Sequence, residues 1–236
     1  MSMPRVVEPE WLDNLPADDP RAIRSRGDLR RINRLMSASR SLGEALDPLL
    51  VGRSKVRIIE LGAGDGSLLL RLAQSRARRW PAVALGLLDM QPVVAQDTLA
   101  RYRELGWTPD VIHADVFNWL DERPPNTAAD DAPIIIANLF LHHFEGQRLI
   151  ELLHGIAARA RAFVCVEPRR SSFALLGSRL LGVIGCNAVT RHDAVISVRA
   201  GFADQDLSQH WPRDAHWDLQ EHAAGLFSHR LVAVRA

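Results

Sequence analysis

The chain has 236 residues, a length typical of one α/β domain with a small appendage. Its formal net charge of +1 argues against a global field that would attract nucleic acid or an anionic membrane. No apolar run approaches the roughly 18 residues of a membrane span, and two isolated cysteines make no disulfide framework. We therefore expect a cytoplasmic protein with no nucleic-acid partner and no membrane span.

The first 50 residues are predicted to be a segment apart from the main domain, which would occupy residues 51–236. Residues 1–20 are rich in proline and aspartate, which predicts an irregular arm. Residues 21–50 repeat apolar side chains at helical spacing with arginines between them, which predicts helical structure ending near Asp47-Pro48 and Gly52. The arm and the helical segment together would cover the substrate site of the main domain.

Strand and helix patterns alternate through five cycles after residue 51. The predicted strands are short apolar runs at 56–59, 83–88, 111–113, 134–139 and 162–167. Predicted helices begin at Ser67 and cover 92–105, 117–120, 146–160, 171–184 and 203–210, with a loop at 121–133 and final strands at 217–219 and 226–234. Several strands are continuously apolar, which is typical of a parallel sheet covered by helices on both faces. The predicted fold class is therefore α/β, doubly wound, with a mostly parallel sheet.

Polar residues close each of the five predicted strands: Glu60, Asp89, Asp115, Asn138 and Glu167. Open α/β sheets bind ligands at the carboxyl ends of their strands. The series therefore predicts a ligand crevice at that edge of the sheet.

The most informative segment is Glu60-Leu61-Gly62-Ala63-Gly64-Asp65-Gly66, between a strand and a helix. A dinucleotide fingerprint needs G-x-G-x-x-G, and its third glycine would fall at Ser67. Glu60 and Asp65 would also repel a pyrophosphate, whereas a cationic amino-acid group would be attracted. The charges therefore favour an adenosine cofactor with an ammonium and a sulfonium, which is S-adenosylmethionine (SAM).

The segment 60–66 resembles motif I of the class I SAM-dependent methyltransferases, and the later strand ends resemble the family's later motifs. The resemblance extends over about residues 55–167 and the final strands. It implies a seven-stranded sheet with an antiparallel last strand, and SAM as the cofactor.

The same resemblance implies the cofactor contacts. The methionine part of SAM would lie against Glu60, Gly62, Ala63 and Gly64, the ribose against Asp89, the adenine against Met90, Asp115 and Val116, and the sulfonium above Asn138 and Leu139.

The run Asn138-Leu139-Phe140-Leu141-His142-His143-Phe144 resembles the fourth motif of small-molecule methyltransferases of the quinone- and polyketide-tailoring type. This implies a small-molecule substrate, methylated on the hydroxyl of a phenolic, quinone-like or polyketide-derived acceptor, although nitrogen and carbon acceptors stay open. A substrate cover is expected at about residues 169–210, together with the N-terminal segment.

A phenolic acceptor has a pKa near ~10, so a base would assist its methylation at neutral pH. The candidates are His143, then His142, just after the fourth strand, and His192 in the expected cover. Each has a structural alternative: the first two as packing or helix-capping residues, the third as a surface histidine.

No metal site is expected, because adjacent histidines lack the i, i+4 spacing of a helical metal pair. Metal-dependent catechol-type methyltransferases also have a carboxylate after the fourth strand, where this chain has Asn138. The alternatives to a small-molecule enzyme are an RNA or protein methyltransferase, a non-catalytic SAM-binding partner, and a nicotinamide oxidoreductase, which the glycine spacing disfavours.

Overall fold

The computed structural model describes residues 3–36, 38–50, 52–76, 78–122, 132–213 and 217–236. Its centre is a seven-stranded sheet of β1 (Lys55–Leu61), β2 (Ala82–Asp89), β3 (Thr108–His113), β4 (Ile134–Asn138), β5 (Ala162–Pro168), β6 (Trp217–Ala223) and β7 (Ser228–Arg235). The strand order is β3-β2-β1-β4-β5-β7-β6. Strands β1 to β5 are mutually parallel, while β7 is antiparallel to both β5 and β6. The expected seven strands and antiparallel last strand are confirmed, so the sheet is mixed.

The direction of strand addition reverses between β1 and β4, which lie side by side. Glu60 of β1 is paired with Ile136, and Leu61 with Ala137. Such a reversal opens a crevice at the carboxyl ends of the two strands. The glycine turn after β1 and Asn138 at the end of β4 therefore lie at the same place.

Helices cover both faces of the sheet. They are α1 (Pro20–Leu35), α2 (Ala38–Leu50), α3 (Ser67–Arg76), α4 (Gln96–Glu104), α5 (Val116–Asp121), α6 (Gly146–Arg159), α7 (Ser172–Arg179) and α8 (Ala188–Ala200). One core cluster joins the sheet to α2, α3 and α4, and a second joins it to α5 and α6. The doubly wound arrangement is thereby confirmed.

Along one strand, successive side chains pack alternately into the two core clusters. In β1, Ile58 belongs to the first cluster and Ile59 to the second, and in β4 the same holds for Ile134 and Ile135. All four are at most 2% exposed. Because strand side chains alternate between faces, a strand buried on both sides must be apolar throughout.

The helical structure predicted at 21–50 is confirmed, and it consists of two helices, α1 and α2. Asp19 caps α1 by accepting from the Arg21 amide, and Pro20 takes the first helical position. The two helices contact each other and α3, but their main partners differ, since α1 packs mainly on α8 and α2 mainly on β5. Pro48, expected to end the helix, lies inside α2.

The segment before β6 differs from its prediction in three places. The helix expected at 171–184 ends at Arg179 and continues as a 3-10 turn, and that expected at 203–210 is a series of turns with a 3-10 segment, Ser208–His210. A full helix, α8, occupies a segment with no helix prediction, and Asn187 caps it by accepting from the Thr190 amide at 2.8 Å. The loop predicted at 121–133 lies mostly outside the described residues.

The arm was predicted as irregular and is so, apart from a 3-10 turn at Leu12–Asn14. It is nevertheless held against the domain: the Arg5 guanidinium donates to the carbonyls of Ala200 and Phe144 at 2.7 and 2.8 Å. None of the helices in the described ranges is long and apolar enough to cross a bilayer.

Candidate functional site

The turn after β1 requires glycine. Gly62, Gly64 and Gly66 have φ values of 63°, 54° and 69°, in the left-handed region. At Gly62 space is restricted as well, because an added Cβ would lie 2.4 Å from Cδ2 of Phe140. Backbone conformation and a close neighbour thus both exclude a side chain at this point. Ala63, between Gly62 and Gly64 in the sequence, is buried, and its amide donates to the Leu88 carbonyl at 3.0 Å.

Replacing Gly62 with alanine should lower the free energy of unfolding by about 2–5 kcal/mol, the sum of a left-handed φ and an overpacked ring. Gly106→Ala is the matched control, since Gly106 has a φ of 78° and open space around its Cβ position. It should cost only about 1–2 kcal/mol. Urea denaturation compares the two, and equal losses would mean that Phe140 does not restrict the turn.

Glu60 is a buried carboxyl group at the start of the glycine turn. It is 3% exposed, and its Oε2 atom has no hydrogen-bond partner among the described residues. Burial, reinforced by the charges of Asp65 and Asp89, raises the pKa of Glu60 from 4.5 to about 8. A buried acid without a partner is unfavourable, and a cationic ligand would remove that cost.

Asp89 closes β2 beside this turn. Its Oδ2 atom accepts from the Gly64 amide and its Oδ1 atom from the Gln91 amide, both at 2.8 Å. A carboxylate offers about four acceptor positions, so two bonds leave capacity for ligand hydroxyls. Met90 follows with 66% of its surface exposed, and its carbonyl oxygen lies 2.6 Å from Nε2 of His113.

The end of β3 supplies Asp115 and Val116. Asp115 caps α5, because its Oδ1 atom accepts from the amides of Phe117 and Asn118 at 2.8 and 3.2 Å. Val116 is buried in the core cluster that includes α5. The structure therefore gives Asp115 a capping role, and any contact with a ligand would have to be additional to it.

Asn138 and Leu139 close β4 on the opposite side of the crevice. The Asn138 side-chain amide donates to Oδ1 of Asn33 in α1 at 3.3 Å, while its own Oδ1 is buried and has no partner within the described ranges. Leu139 has a φ of 52°, unusual for a residue with a side chain. Two unsatisfied acceptors, on Glu60 and Asn138, thus lie at neighbouring strand ends.

Helix α1 makes a second contact with the crevice, one helical turn before Asn33. Arg30 pairs with Asp65 of the glycine turn at 2.6 Å. With the Asn33–Asn138 contact, this places one face of α1 along the crevice.

An apolar cavity of about 270 Å³ lies beyond Leu139, between α1, α7, α8 and the arm. Its walls include Leu29, Ile32, Leu139, Leu181, Ala194 and Phe227. The charged residues among its described lining are Glu10 and Asp193, both acidic. A cavity of this kind suits an apolar molecule with few polar groups.

His142 lies beside this cavity rather than in its wall, and is 2% exposed. Its Nδ1 atom is 2.8 Å from Oε2 of Glu167, and its Nε2 atom is 3.2 Å from Oε1 of Glu10. Burial lowers the pKa of His142, but the hydrogen bonds with the two carboxylates outweigh burial and raise it to about 9. Glu167, fully buried, also accepts from the amides of Phe140 and Leu141, so it fixes the segment after β4.

His143 and His192 have different surroundings. Nδ1 of His143 donates to the Phe140 carbonyl at 2.9 Å, and its Nε2 atom is buried with no hydrogen-bond partner in the described chain. His192 stacks on Trp11 at 3.7 Å between ring centres, and its Nδ1 atom lies 2.9 Å from Asp193. The described cavity lining includes no histidine, and a role as general base stays a prediction for all three.

The sequence prediction missed Glu10, the acidic residue between the cavity and the histidines. It lies in the arm, accepts from the Ser197 hydroxyl and is 9% exposed. Burial raises the pKa of Glu10, but the hydrogen bond with His142 and the proximity of His143 prevail and hold it far below its usual range. No local sequence signal marks this residue, since its partners are more than 130 positions away.

No family model and no curated protein sequence matches the chain, whereas many solved structures resemble it. The plantazolicin methyltransferase BpumL, in complex with SAH, has a TM-score of 0.61 at 14% identity, over 93% of this chain and 92% of that one. An O-methyltransferase family protein from Burkholderia thailandensis has a TM-score of 0.58 at 18% identity, over 93% and 61%. The small RNA methyltransferase HEN1 has a TM-score of 0.56 at 12% identity, over 84% of this chain but 25% of that one.

These structures match the fold of this chain over 84–93% of its length. Their sequence identities are too low for the roles of individual residues to be transferred. The chain therefore has the fold of the class I SAM-dependent methyltransferases.

Proposed function

We propose that the protein binds SAM in the crevice between β1 and β4 and transfers its methyl group to a small molecule held in the apolar cavity. The observation that carries the proposal is the buried carboxyl group of Glu60, whose Oε2 atom has no partner in the described residues. A cationic ammonium group satisfies both its charge and its acceptor capacity.

The other residues of the crevice fit the remaining parts of the same cofactor. Glycines at 62 and 64 let a ligand approach the backbone, Asp89 has acceptor capacity for ribose hydroxyls, and Met90 offers an exposed apolar surface to adenine. The backbone at Leu139 and the free Oδ1 of Asn138 would line the floor. Ala63, Asp115 and Val116 support this frame through the backbone and the cap of α5.

The cavity supports an apolar substrate with a neutral polar end. Its described charged lining residues are acids, so an anionic acceptor would be repelled. A phenolic, quinone-like or polyketide-derived molecule has both an apolar body and an uncharged hydroxyl group, and so fits this cavity. Segments 1–50 and about 169–210 would serve as its cover, because the arm, α1, α7 and α8 form the cavity walls.

SAM, once bound, supplies an already activated methyl group. The protein then has to hold the acceptor close to that group and exclude water, which apolar walls beside Leu139 favour. A group that accepts the hydroxyl proton would assist. His143, His142 and His192 remain the proposed bases, with His143 preferred because its Nε2 atom has no hydrogen-bond partner in the described chain.

Calorimetry with SAM, SAH and a nicotinamide dinucleotide tests the cofactor. SAM and SAH should bind with one site per chain and the dinucleotide should not; the reverse result would refute the proposal. Transfer of a labelled methyl group should then be screened against phenolic lipids, quinones and total RNA. Labelling of RNA alone would favour a nucleic-acid methyltransferase, the activity named for HEN1.

Replacing Ala194 with phenylalanine should fill part of the cavity and lower kcat/KM for the substrate by at least about tenfold, because small changes of volume in such a pocket have effects of this size. The Kd for SAM should change less than about twofold. Ala158→Phe, on the exposed face of α6, is the matched control. A full loss of SAM binding in Ala194→Phe would place the cavity in the cofactor site instead.

A further inference from the structure

We propose that Glu10, Asp13, His142 and His143 form a binding site for a divalent transition-metal ion, with Zn²⁺ as the best fit. One oxygen of Glu10 and one ring nitrogen of each histidine lie within 4.8 Å of one another. Asp13 lies beside these three groups, with its Oδ2 atom 3.5 Å from Nε2 of His143, and a rotation of its exposed side chain would bring it in as a fourth ligand. The site lies outside the crevice proposed for SAM. While it holds an ion, His142 and His143 are ligands and cannot accept a proton, so His192 is then the histidine proposed as the base.

The tautomers of both histidines favour this assignment. A carbonyl oxygen can only accept, so Nδ1 of His143 carries the hydrogen that it donates to Phe140. Nδ1 of His142 likewise faces the carboxylate of Glu167 at 2.8 Å. Both Nε2 atoms face Glu10, and an ion would bind there by displacing the proton that His142 Nε2 shares with this carboxylate. Histidines that bind metals have this second contact, to a carboxylate or a backbone carbonyl, in most known sites.

Three distances between candidate ligand atoms are close to those expected around a tetrahedral ion. Bonds of about 2.0–2.1 Å in tetrahedral geometry separate neighbouring ligand atoms by about 3.3–3.4 Å. Here Nε2 of His142 is 3.2 Å from Oε1 of Glu10, and Nε2 of His143 is 3.6 Å from Oε2 of Glu10 and 3.5 Å from Oδ2 of Asp13. The last two separations are too long for hydrogen bonds but suit two ligands of one ion.

The chemistry of the ligand set selects the class of metal. Two imidazoles and two carboxylates suit Zn²⁺ and its neighbours, whereas Mg²⁺ and Ca²⁺ prefer oxygen alone. Asp13 is 57% exposed, which provides a route of entry for the ion. The expectation of no metal considered only residues near each other in sequence, and half of this ligand set comes from the arm.

The ion would fasten the arm to the segment after β4, beside the apolar cavity. Glu10 belongs both to the ligand set and to the cavity wall. Arg5 already ties the arm to the carbonyl of Phe144 in that segment. Metal binding should therefore protect the arm from proteolysis.

The test is metal uptake by the full, untagged protein. After incubation with ZnCl₂ and gel filtration, elemental analysis should give about one Zn²⁺ per chain, and Co²⁺ should give the intense visible absorption of tetrahedral coordination. Trypsin should cleave at Arg5 more slowly with Zn²⁺ present. None of these readings requires SAM or methyl transfer.

Three variants and a control make the test specific. His143→Asn and Glu10→Gln should weaken Zn²⁺ binding by at least about 100-fold, more than the 10–100-fold typical of losing an outer contact. Asp13→Asn, at an exposed position, is the variant least able to impair folding and should weaken it at least about tenfold. His154→Asn, on the exposed face of α6, should have no effect. Absence of uptake by the folded wild-type chain, or equal uptake by all variants, would overturn the proposal.

Discussion

Glutamine in place of Glu60 should weaken SAM binding by about 100-fold, since a desolvated charge pair is typically worth 2–5 kcal/mol. Glutamine keeps the size and one acceptor of the side chain but has no negative charge for the ammonium group. Calorimetry at pH 7.5 measures the change. Glu104→Gln, at an exposed position of α4, is the control and should bind like the wild type.

The same substitution should stabilise the ligand-free protein, and do so more at pH 8 than at pH 5. The pKa of Glu60 is about 8 in the folded chain, against 4.5 ordinarily, so the folded chain holds a proton that the unfolded chain releases between these values. Wild-type stability therefore falls as pH rises through this window, by an amount on the order of a few kcal/mol. Melting curves of both proteins across pH 5–9 should diverge; parallel curves would mean that Glu60 is ionised without a ligand.

The SAM affinity of the wild type should also depend on the protonation state of Glu60. An ammonium ligand needs the carboxylate, so SAM affinity should rise up to about tenfold per pH unit between pH 6 and 7.5. It should level off near pH 8, where an α-amino group itself begins to lose its proton. In Glu60→Gln the increase of SAM affinity with pH should be absent. The comparison therefore distinguishes the titration of Glu60 from that of any other group.

The largest loss of stability is expected from Glu167→Ala. Glu167 is fully buried and satisfies three donors: the amides of Phe140 and Leu141, and Nδ1 of His142. Alanine leaves all three without an acceptor, at a cost of about 3–5 kcal/mol. Urea denaturation gives the value directly. Glu151→Ala, on the exposed side of α6, should change stability by less than about 0.5 kcal/mol.

Glu167→Gln distinguishes the lost hydrogen bonds from the lost charge. Glutamine retains an acceptor for the two amides, so its cost should lie between those of alanine and the wild type. A loss below about 1 kcal/mol for Glu167→Ala would mean that water replaces the carboxylate, and that the segment after β4 is held by its apolar contacts.

The parts of the fold that follow from short-range pattern were predictable from the sequence. The runs around Ile58 and Ile135 are apolar because both faces of the sheet are buried, and that alone identifies a parallel α/β sheet. The glycine turn is equally local, since Gly62 and Gly64 are required by backbone conformation. The cofactor hypothesis came from the same few residues and their charges.

Other features depend on contacts that a linear pattern does not contain. Helix α8 is rich in β-branched residues such as Val189, Thr190 and Ile196, and it is buried on several sides, so it has little of the one-sided apolar stripe that predicts a helix. Glu10 acquires its partners only when the arm folds back onto the domain. Tertiary packing thus determines both the missed helix and the missed carboxylate.

One helix borders both proposed ligand sites. On α1, Arg30 and Asn33 reach the crevice, while Leu29 and Ile32 form cavity wall. A displacement of α1 that releases spent cofactor must also loosen the wall around the acceptor. Through this helix, exchange of the cofactor and exchange of the acceptor would be coupled.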